Sequence, residues 1–324
     1  MNVLITGGAG FLGHQVVSYF LEHTDYDLVL LDRLDFSGNL NRLAEVEGWD
    51  SGRVKFVWHD LKAAINDQVA KRIGDVDYIL HLAAGSHVDR SIEYPMEFVM
   101  DNVVGTTNLL NYARTLKNLK LFNYFSTDES FGDAPDGVNF SEDTRHNPKN
   151  PYAATKAAAE DLCIAFENTY KLPIFITHTM NLFGPRQHPE KFIPLVIKAV
   201  LNGTEIVIHS HPDLKRAGSR FYIHTENVAA ALKYLLHNAS SGEIYNIVGE
   251  KEIDNLVLAQ FIANYIGKPL HYRMVDFHSR RPGHDLRYSL SGEKMKNMGW
   301  EYPSTFERSM RTNIEWYLDN LEWL

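Results

Sequence analysis

Asn2–Gly13 reads NVLITGGAGFLG, a run of strand-forming residues that breaks into glycines at 7, 8, 10 and 13. An amphipathic segment, HQVVSYFLEH (14–23), follows at once. Strand, glycine turn and helix in this order are the fingerprint of a dinucleotide-binding βα unit. Gly7 permits the tight turn, Gly10 lets backbone amides approach a pyrophosphate, and Gly13 lets the helix pack close to the strand. The helix N-terminus adds N–H donors and the positive end of a dipole. Asp32 closes the second apolar run, DLVLLD (27–32), where a carboxylate can accept from ribose hydroxyls and would repel a 2′-phosphate. The expected cofactor is NAD rather than NADP. Asp60, ending VKFVWHD (54–60), either meets the adenine or caps its own strand.

Further apolar runs alternate with helical patterns: VDYILHLAA (76–84), LKLFNYFST (119–127) and LPIFITHTMN (172–181) against EFVMDNVVGTTNLLNYARTL (97–116) and YAATKAAAEDLCIAFENTY (152–170). That order predicts an α/β fold, a Rossmann-type doubly wound parallel sheet, over residues 1–180. Past NLFGPRQHP (181–189) the alternation weakens. Residues 181–324 are read mainly as a smaller mixed α/β substrate-binding domain, with segments of the two interleaving.

With 324 residues and 44% hydrophobic content the chain can bury a substantial core. A net charge of -9 without a basic run gives no footprint for nucleic acid or an anionic membrane, so a small molecule is the expected partner. No apolar run reaches the roughly 18 residues of a membrane helix, and with no basic leader the expected location is the cytoplasm. The single cysteine, Cys163, excludes an internal disulfide and reads as a packed core thiol. His209 and His211 in HSHPD have a spacing open to a metal but no third ligand cluster, and no metal is expected.

A second motif is PYAATKAAAE (151–160). Tyr152 and Lys156 share one helix face. Bringing a tyrosine from about 10 to near 7 takes on the order of 4 kcal/mol. An ammonium about 4 Å away at an effective dielectric of about 20 supplies a comparable amount. The pair can therefore serve as a base. A third motif, STDESFG (126–132), sets Asp128 and Glu129 side by side at a strand end.

Together TGGAGFLG, HLAAGSHVDRS, STDESFG, PYAATKAAAE, NLFGPRQHPEKFIP and RPGHDLRY resemble the extended short-chain dehydrogenase/reductases and, within them, the dTDP-glucose 4,6-dehydratases. The resemblance runs nearly end to end and implies a hydro-lyase acting on a nucleotide sugar. In that family a hexose is oxidised at C4, loses water across C5 and C6, and is reduced at C6 by the same hydride. The resemblance gives Tyr152 the C4 hydroxyl proton, with Thr127 hydrogen-bonding that hydroxyl and Lys156 holding the ribose. It makes Glu129 the C5 base and Asp128 the acid for the departing C6 hydroxyl. It extends the NAD-binding set to Phe11, Leu12, Leu61, Leu82, Ala83 and Ala84. It assigns Ser86, His87, Asn181, Lys191, Arg220, Arg281 and His284 to the substrate, although a structural histidine explains His87 equally well. The 97–116 and 152–166 helices resemble a pair that forms a homodimer interface.

Three features depart from the family pattern. Gly85 stands where glutamate is common, Ser130 and Phe131 replace Val and Tyr, and the 209–219 segment is longer. The changes at 85, 130 and 131 are expected to touch the sugar pocket, and the nucleotide base is left open. A nucleotide-sugar 4-epimerase or glucuronate decarboxylase would share the fold and the Tyr and Lys chemistry, but neither needs an acid for C6 beside a base for C5. A non-catalytic NAD-binding regulatory protein would need neither Tyr152 nor Lys156.

Overall fold

Alternation along the first strand sets the layers. In the computed structural model, which describes residues 1–276 and 287–324, Val3 and Ile5 enter one core and Leu4 the opposite one. A strand covered on both faces belongs to a parallel sheet buried between helices. The strands in chain order are β1 (Asn2–Thr6), β2 (Asp27–Asp32), β3 (Val54–Trp58), β4 (Tyr78–His81), β5 (Leu121–Thr127), β6 (Ile174–Thr179), β7 (Asn181–Phe183), β8 (Ile206–Ser210), β9 (Ser219–His224), β10 (Ile244–Ile247), β11 (Glu252–Asp254) and β12 (Tyr272–Asp276). Seven of them form one sheet in the order β10-β6-β5-β4-β1-β2-β3, with every neighbouring pair parallel.

The chain leaves β1 toward β3 and returns on the other side at β4, so a topological switch point lies between β1 and β4. Open α/β sheets bind ligands at the carboxyl ends beside such a point. One face is covered by the helices Phe11–His23 and Thr225–Asn238, through Val16, Phe20, Leu232 and Leu235. The other is covered by Gly105–Ala113 and Pro151–Tyr170, through Leu109, Leu110, Ala159 and Cys163. Cys163 is a buried free thiol in this core, as its sequence context suggested. Burial holds it well above the usual thiol range.

A third core holds Ile193, Val196, Leu258, Ile262, Met310 and Ile314. These come from the helices Phe192–Asn202, Asn255–Ile266 and Phe306–Asp319, which accompany the β11-β9-β7 and β12-β8 sheets. The latter half of the chain also supplies β10 to the large sheet. Among the described residues no helix is long and apolar enough to cross a membrane.

The predicted 97–116 helix is interrupted. Pro95–Phe98 and Gly105–Ala113 are α-helical, but Val99–Val104 is a π turn. The interruption has a local use. Buried Asn102 accepts from the Gly85 N–H at 2.7 Å and donates to the Gly85 carbonyl at 3.1 Å and the Thr155 hydroxyl at 2.9 Å. It thereby ties the strand β4 exit to the helix that carries Tyr152 and Lys156. Such π turns inside helices are frequent near functional sites.

Candidate active site

The β1 turn is closed to side chains. Gly7 has φ +71°, and a Cβ there would lie 2.9 Å from the Ala83 backbone across the switch point. A Cβ on Gly13 would lie 2.0 Å from the Gly7 carbonyl oxygen. Gly10 supplies no side-chain cap to the helix Phe11–His23, whose first N–H groups are the natural diphosphate donors. Leu12 belongs to the core beneath the turn, and Phe11 is half-buried. The opposite wall is Leu82–Ala84, half-buried, where Ala83 N–H donates to the Thr6 hydroxyl at 3.2 Å.

Asp32 is buried at 8% exposure, and its two oxygens accept from Ala9 N–H at 3.0 Å and Leu34 N–H at 2.8 Å. It knits the glycine turn to β2. Burial raises its carboxyl, against the pull of those two N–H groups. Arg33, the neighbouring cation, is held by Asp101 at 2.5 and 2.9 Å and by Asp35 at 2.8 Å. This acidic, side-chain-free cradle fits NAD and disfavours an extra phosphate. Asp60 accepts from Lys62 N–H at 3.0 Å, a turn cap, and lies 3.6 Å from Arg33. Leu61 packs into the core, its carbonyl accepting from Asn108 at 2.7 Å.

At the end of β5 the chain enters a 3-10 turn, Asp128–Phe131, capped by Thr127, whose hydroxyl accepts from Glu129 N–H at 3.4 Å. Thr127 also donates to Asp128 Oδ1 at 3.2 Å, while Asp128 Oδ2 is buried without a hydrogen-bond partner among the described residues. Burial first, and the neighbouring Glu129 charge second, push the Asp128 carboxyl up to about 7, with Arg220 pulling the other way. Glu129 is half-buried and accepts from Asn150 at 3.2 Å and the Tyr288 hydroxyl at 3.4 Å. The two acids therefore occupy different environments.

Asn150 caps the helix Pro151–Tyr170, accepting from Ala153 N–H at 2.8 Å, and Pro151 takes the first helical position. Tyr152 follows, its own N–H donating to Ser91 Oγ at 3.1 Å and its ring edge-on to Phe98. Burial and the Glu129 charge raise its hydroxyl above the usual tyrosine range, and hydrogen bonding to Thr127 opposes them. Lys156 is buried, with its ammonium donating to the Phe125 carbonyl at 2.6 Å and lying over the Tyr124 ring. Burial lowers Lys156 to about 8. Within the protein alone, then, Tyr152 is not shifted downward, and Lys156 is turned toward a carbonyl. This differs from the expectation from spacing, because burial and the Glu129 charge act on the phenol while the Lys156 ammonium is spent on the Phe125 carbonyl.

On the substrate side, Arg220 is half-buried, stacked 4.6 Å over the Tyr288 ring and close enough to act on Asp128. His87 caps the short helix Val88–Glu93, accepting from Arg90 N–H, with Glu190 3.7 Å away. Ser86, Asn181 and Lys191 are exposed. Arg281 and His284 lie outside the described residues. Ser130 and Phe131 are buried at 0% and 2%, the serine hydroxyl against Glu160 and the phenyl ring against His178.

Asn150, Ser91, Phe98 and Tyr288 escaped the sequence reading, although the order Asn-Pro-Tyr carries a helix-start signal. Also missed is a convergence of His146, Glu160 and His178, the one group of three metal-type side chains among the described residues. His209 and His211 do not join such a group there.

Residues 3–248 match the family described as NAD dependent epimerase/dehydratase. The dTDP-glucose 4,6-dehydratase 1 of Escherichia coli K12 is 38% identical over 347 residues, spanning all of this chain and 94% of that one. A crystal structure of DesIV, a dTDP-glucose 4,6-dehydratase from Streptomyces venezuelae with NAD bound, superposes with a TM-score of 0.89 at 34% identity, covering 100% and 98% of the two chains. A UDP-glucose 4-epimerase from Thermus thermophilus, also with NAD, superposes at 0.85 with 26% identity, covering 98% of this chain and 99% of that one. Glycine cradle, buried Asp32 and full-length similarity coincide, and the chain belongs to the NAD dependent epimerase/dehydratase family, with NAD as its cofactor.

Proposed function

We propose that this chain is a nucleotide-sugar 4,6-dehydratase, converting an NDP-glucose, of the dTDP- or UDP-glucose type, to the 4-keto-6-deoxy product. The observation that carries the reading is the unlike pair Asp128 and Glu129. One carboxyl is buried, raised to about 7 and leaves an oxygen unpartnered; the other is half-exposed and hydrogen-bonded. Losing water across C5 and C6 of a 4-ketone needs one carboxyl with a proton to give and one able to take a proton. A 4-epimerase has no use for that acid.

When bound, NAD takes hydride from C4 and returns it at C6, so the redox change closes within one turnover. Tyr152 takes the C4 hydroxyl proton, and Thr127 holds that hydroxyl. Lys156 is the ribose contact. Glu129 removes the C5 proton that the ketone has acidified and restores one to C5 when C6 is reduced. Asp128 gives its proton from Oδ2 to the C6 hydroxyl, which leaves as water. Arg220, with Asn181 and Lys191, serves the diphosphate.

The test is incubation of purified protein with a panel of nucleotide sugars, reading loss of one water by mass. A 4-keto-6-deoxy product is expected from a dTDP- or UDP-hexose; return of a C4 epimer at unchanged mass would contradict the assignment. The pH dependence follows from Asp128. Its neutral form is the acid, so, as long as Glu129 stays charged, elimination should be full below about 7 and fall about tenfold per pH step above it. Asp128→Asn should abolish that alkaline limb, and a limb that persists would place it elsewhere.

The working form is read as a cytoplasmic homodimer, paired through the Pro95–Ala113 segment and the Pro151–Tyr170 helix. Exposed Met96, Met100 and Ile164 on these elements support that face. Light scattering at micromolar concentration should give twice the chain mass; a monomer would remove this proposal.

A further inference from the structure

Glu160 lies one turn beyond Lys156 and is fully buried. Its Oε1 accepts from the Ser126 hydroxyl and, at 3.3 Å, from the Ser130 hydroxyl. Its Oε2 faces His178 Nε2 at 2.9 Å and His146 Nε2 at 3.1 Å. The two serines bracket Thr127, Asp128 and Glu129 in the chain.

The protonation of His178 follows from its other neighbour. Asn246 Nδ2 donates to the carbonyls of Phe140 at 3.3 Å and Ser291 at 3.2 Å. Asn246 Oδ1 is therefore the atom turned to His178 Nδ1, at 3.2 Å, and it can only accept. Nδ1 must carry a hydrogen. Nε2 points at a carboxylate oxygen, where a bare lone pair would be repelled, so it carries one too. Both ring nitrogens of His178 thus face acceptors, and Glu160 is its buried carboxylate partner. Burial alone would raise Glu160, but His178 and His146 outweigh it and hold the carboxyl well below its usual range. Phe131 closes the cluster, its ring centroid 4.8 Å from His178 and 5.4 Å from His146. Both departures at 130 and 131 thus belong to one ionic cluster behind the turn.

We propose that Glu160, clamped by His178 and His146, is a positioning residue that fixes both ends of the turn carrying Asp128 and Glu129 through the hydroxyls of Ser126 and Ser130. The step this serves rests on the dehydratase reading; the clamp itself does not. A displacement of about 1 Å at reacting groups can cost on the order of 100-fold in rate.

Breaking a buried ion pair strands a charge and can unfold the chain, so the variant of choice is Ser126→Ala with Ser130→Ala, which keeps the pair. Its amides at 128–131 should exchange with deuterated solvent about tenfold faster or more than in wild type, with β1 and β4 unchanged. Its kcat for water loss should fall roughly 30- to 100-fold while KM stays within about twofold. Equal exchange at 128–131, or a kcat left at the wild-type value, would overturn the proposal. Nitrogen-15 spectra of histidine-labelled wild-type protein at neutral pH, with His178 assigned through its contacts to Phe131, should give hydrogens on both of its ring nitrogens. A neutral ring, or stoichiometric divalent metal by elemental analysis, would refute the clamp. Exchange and ring protonation are read without substrate, so they stand or fall apart from the activity. Absence of any dehydrated product from wild type would instead count against the dehydratase reading alone.

Discussion

Tyr152→Phe is expected to lower turnover by roughly 10³- to 10⁴-fold, the range for loss of a positioned proton acceptor, while NAD remains bound. The hydroxyl sits in a dry pocket against Thr127, with the Glu129 charge nearby. The cofactor cradle is separate, built from Gly7, Gly13 and Asp32 at the ends of β1 and β2. Cofactor content by mass and single-turnover conversion of the sugar separate the two effects. Turnover near wild type would remove Tyr152 from the role of base. Since the protein's own groups raise this hydroxyl, ionising it requires positive charge brought by the bound cofactor together with Lys156, which burial lowers only to about 8 and so leaves mostly charged at neutral pH.

Glu129→Gln should also reduce dehydration by about 10²- to 10⁴-fold, but it should stop the reaction at a different point. The C4 ketone still forms, so a 4-keto-hexose that has kept its water accumulates, without exchange of its C5 hydrogen with solvent. Asp128→Asn should slow water loss yet allow C5 exchange, since ketone and base remain. The unequal settings of the two carboxyls underlie this difference: Asp128 buried with a free oxygen, Glu129 held by Asn150 and Tyr288. Mass and proton spectra of quenched sugars measure both quantities. Equal loss of C5 exchange in the two variants would merge their roles.

Six of the seven strands of the large sheet were legible because each is a short apolar run bounded by turn residues, and the glycine turn after β1 announced its use. The seventh, β10, lies where the alternation had weakened, and its partner β6 is about 70 residues away in the chain. No local pattern encodes that pairing. The π turn at Val99–Val104 was hidden for a related reason: its apolar residues keep helical spacing, and the irregularity answers to Gly85 and Thr155, both distant in sequence. Tyr152, Lys156 and the acids were visible as motifs. What could not be read was desolvation, which raises Asp128 to about 7 and sends Tyr152 upward. The inward turn of Ser130 and Phe131 depends on Glu160 and His178, which sequence alone gave no reason to pair.

The central claim is that one site oxidises C4, eliminates water and reduces C6 without an outside reductant. Incubating a nucleotide hexose deuterated at C4, mixed with an isotopically distinguishable undeuterated one, tests it directly. The account predicts product deuterated at its own C6, with none on C6 of the product from the second sugar. Deuterium returned to C4 would mark an epimerase, and deuterium on the second sugar's C6 would contradict a closed cycle within one turnover.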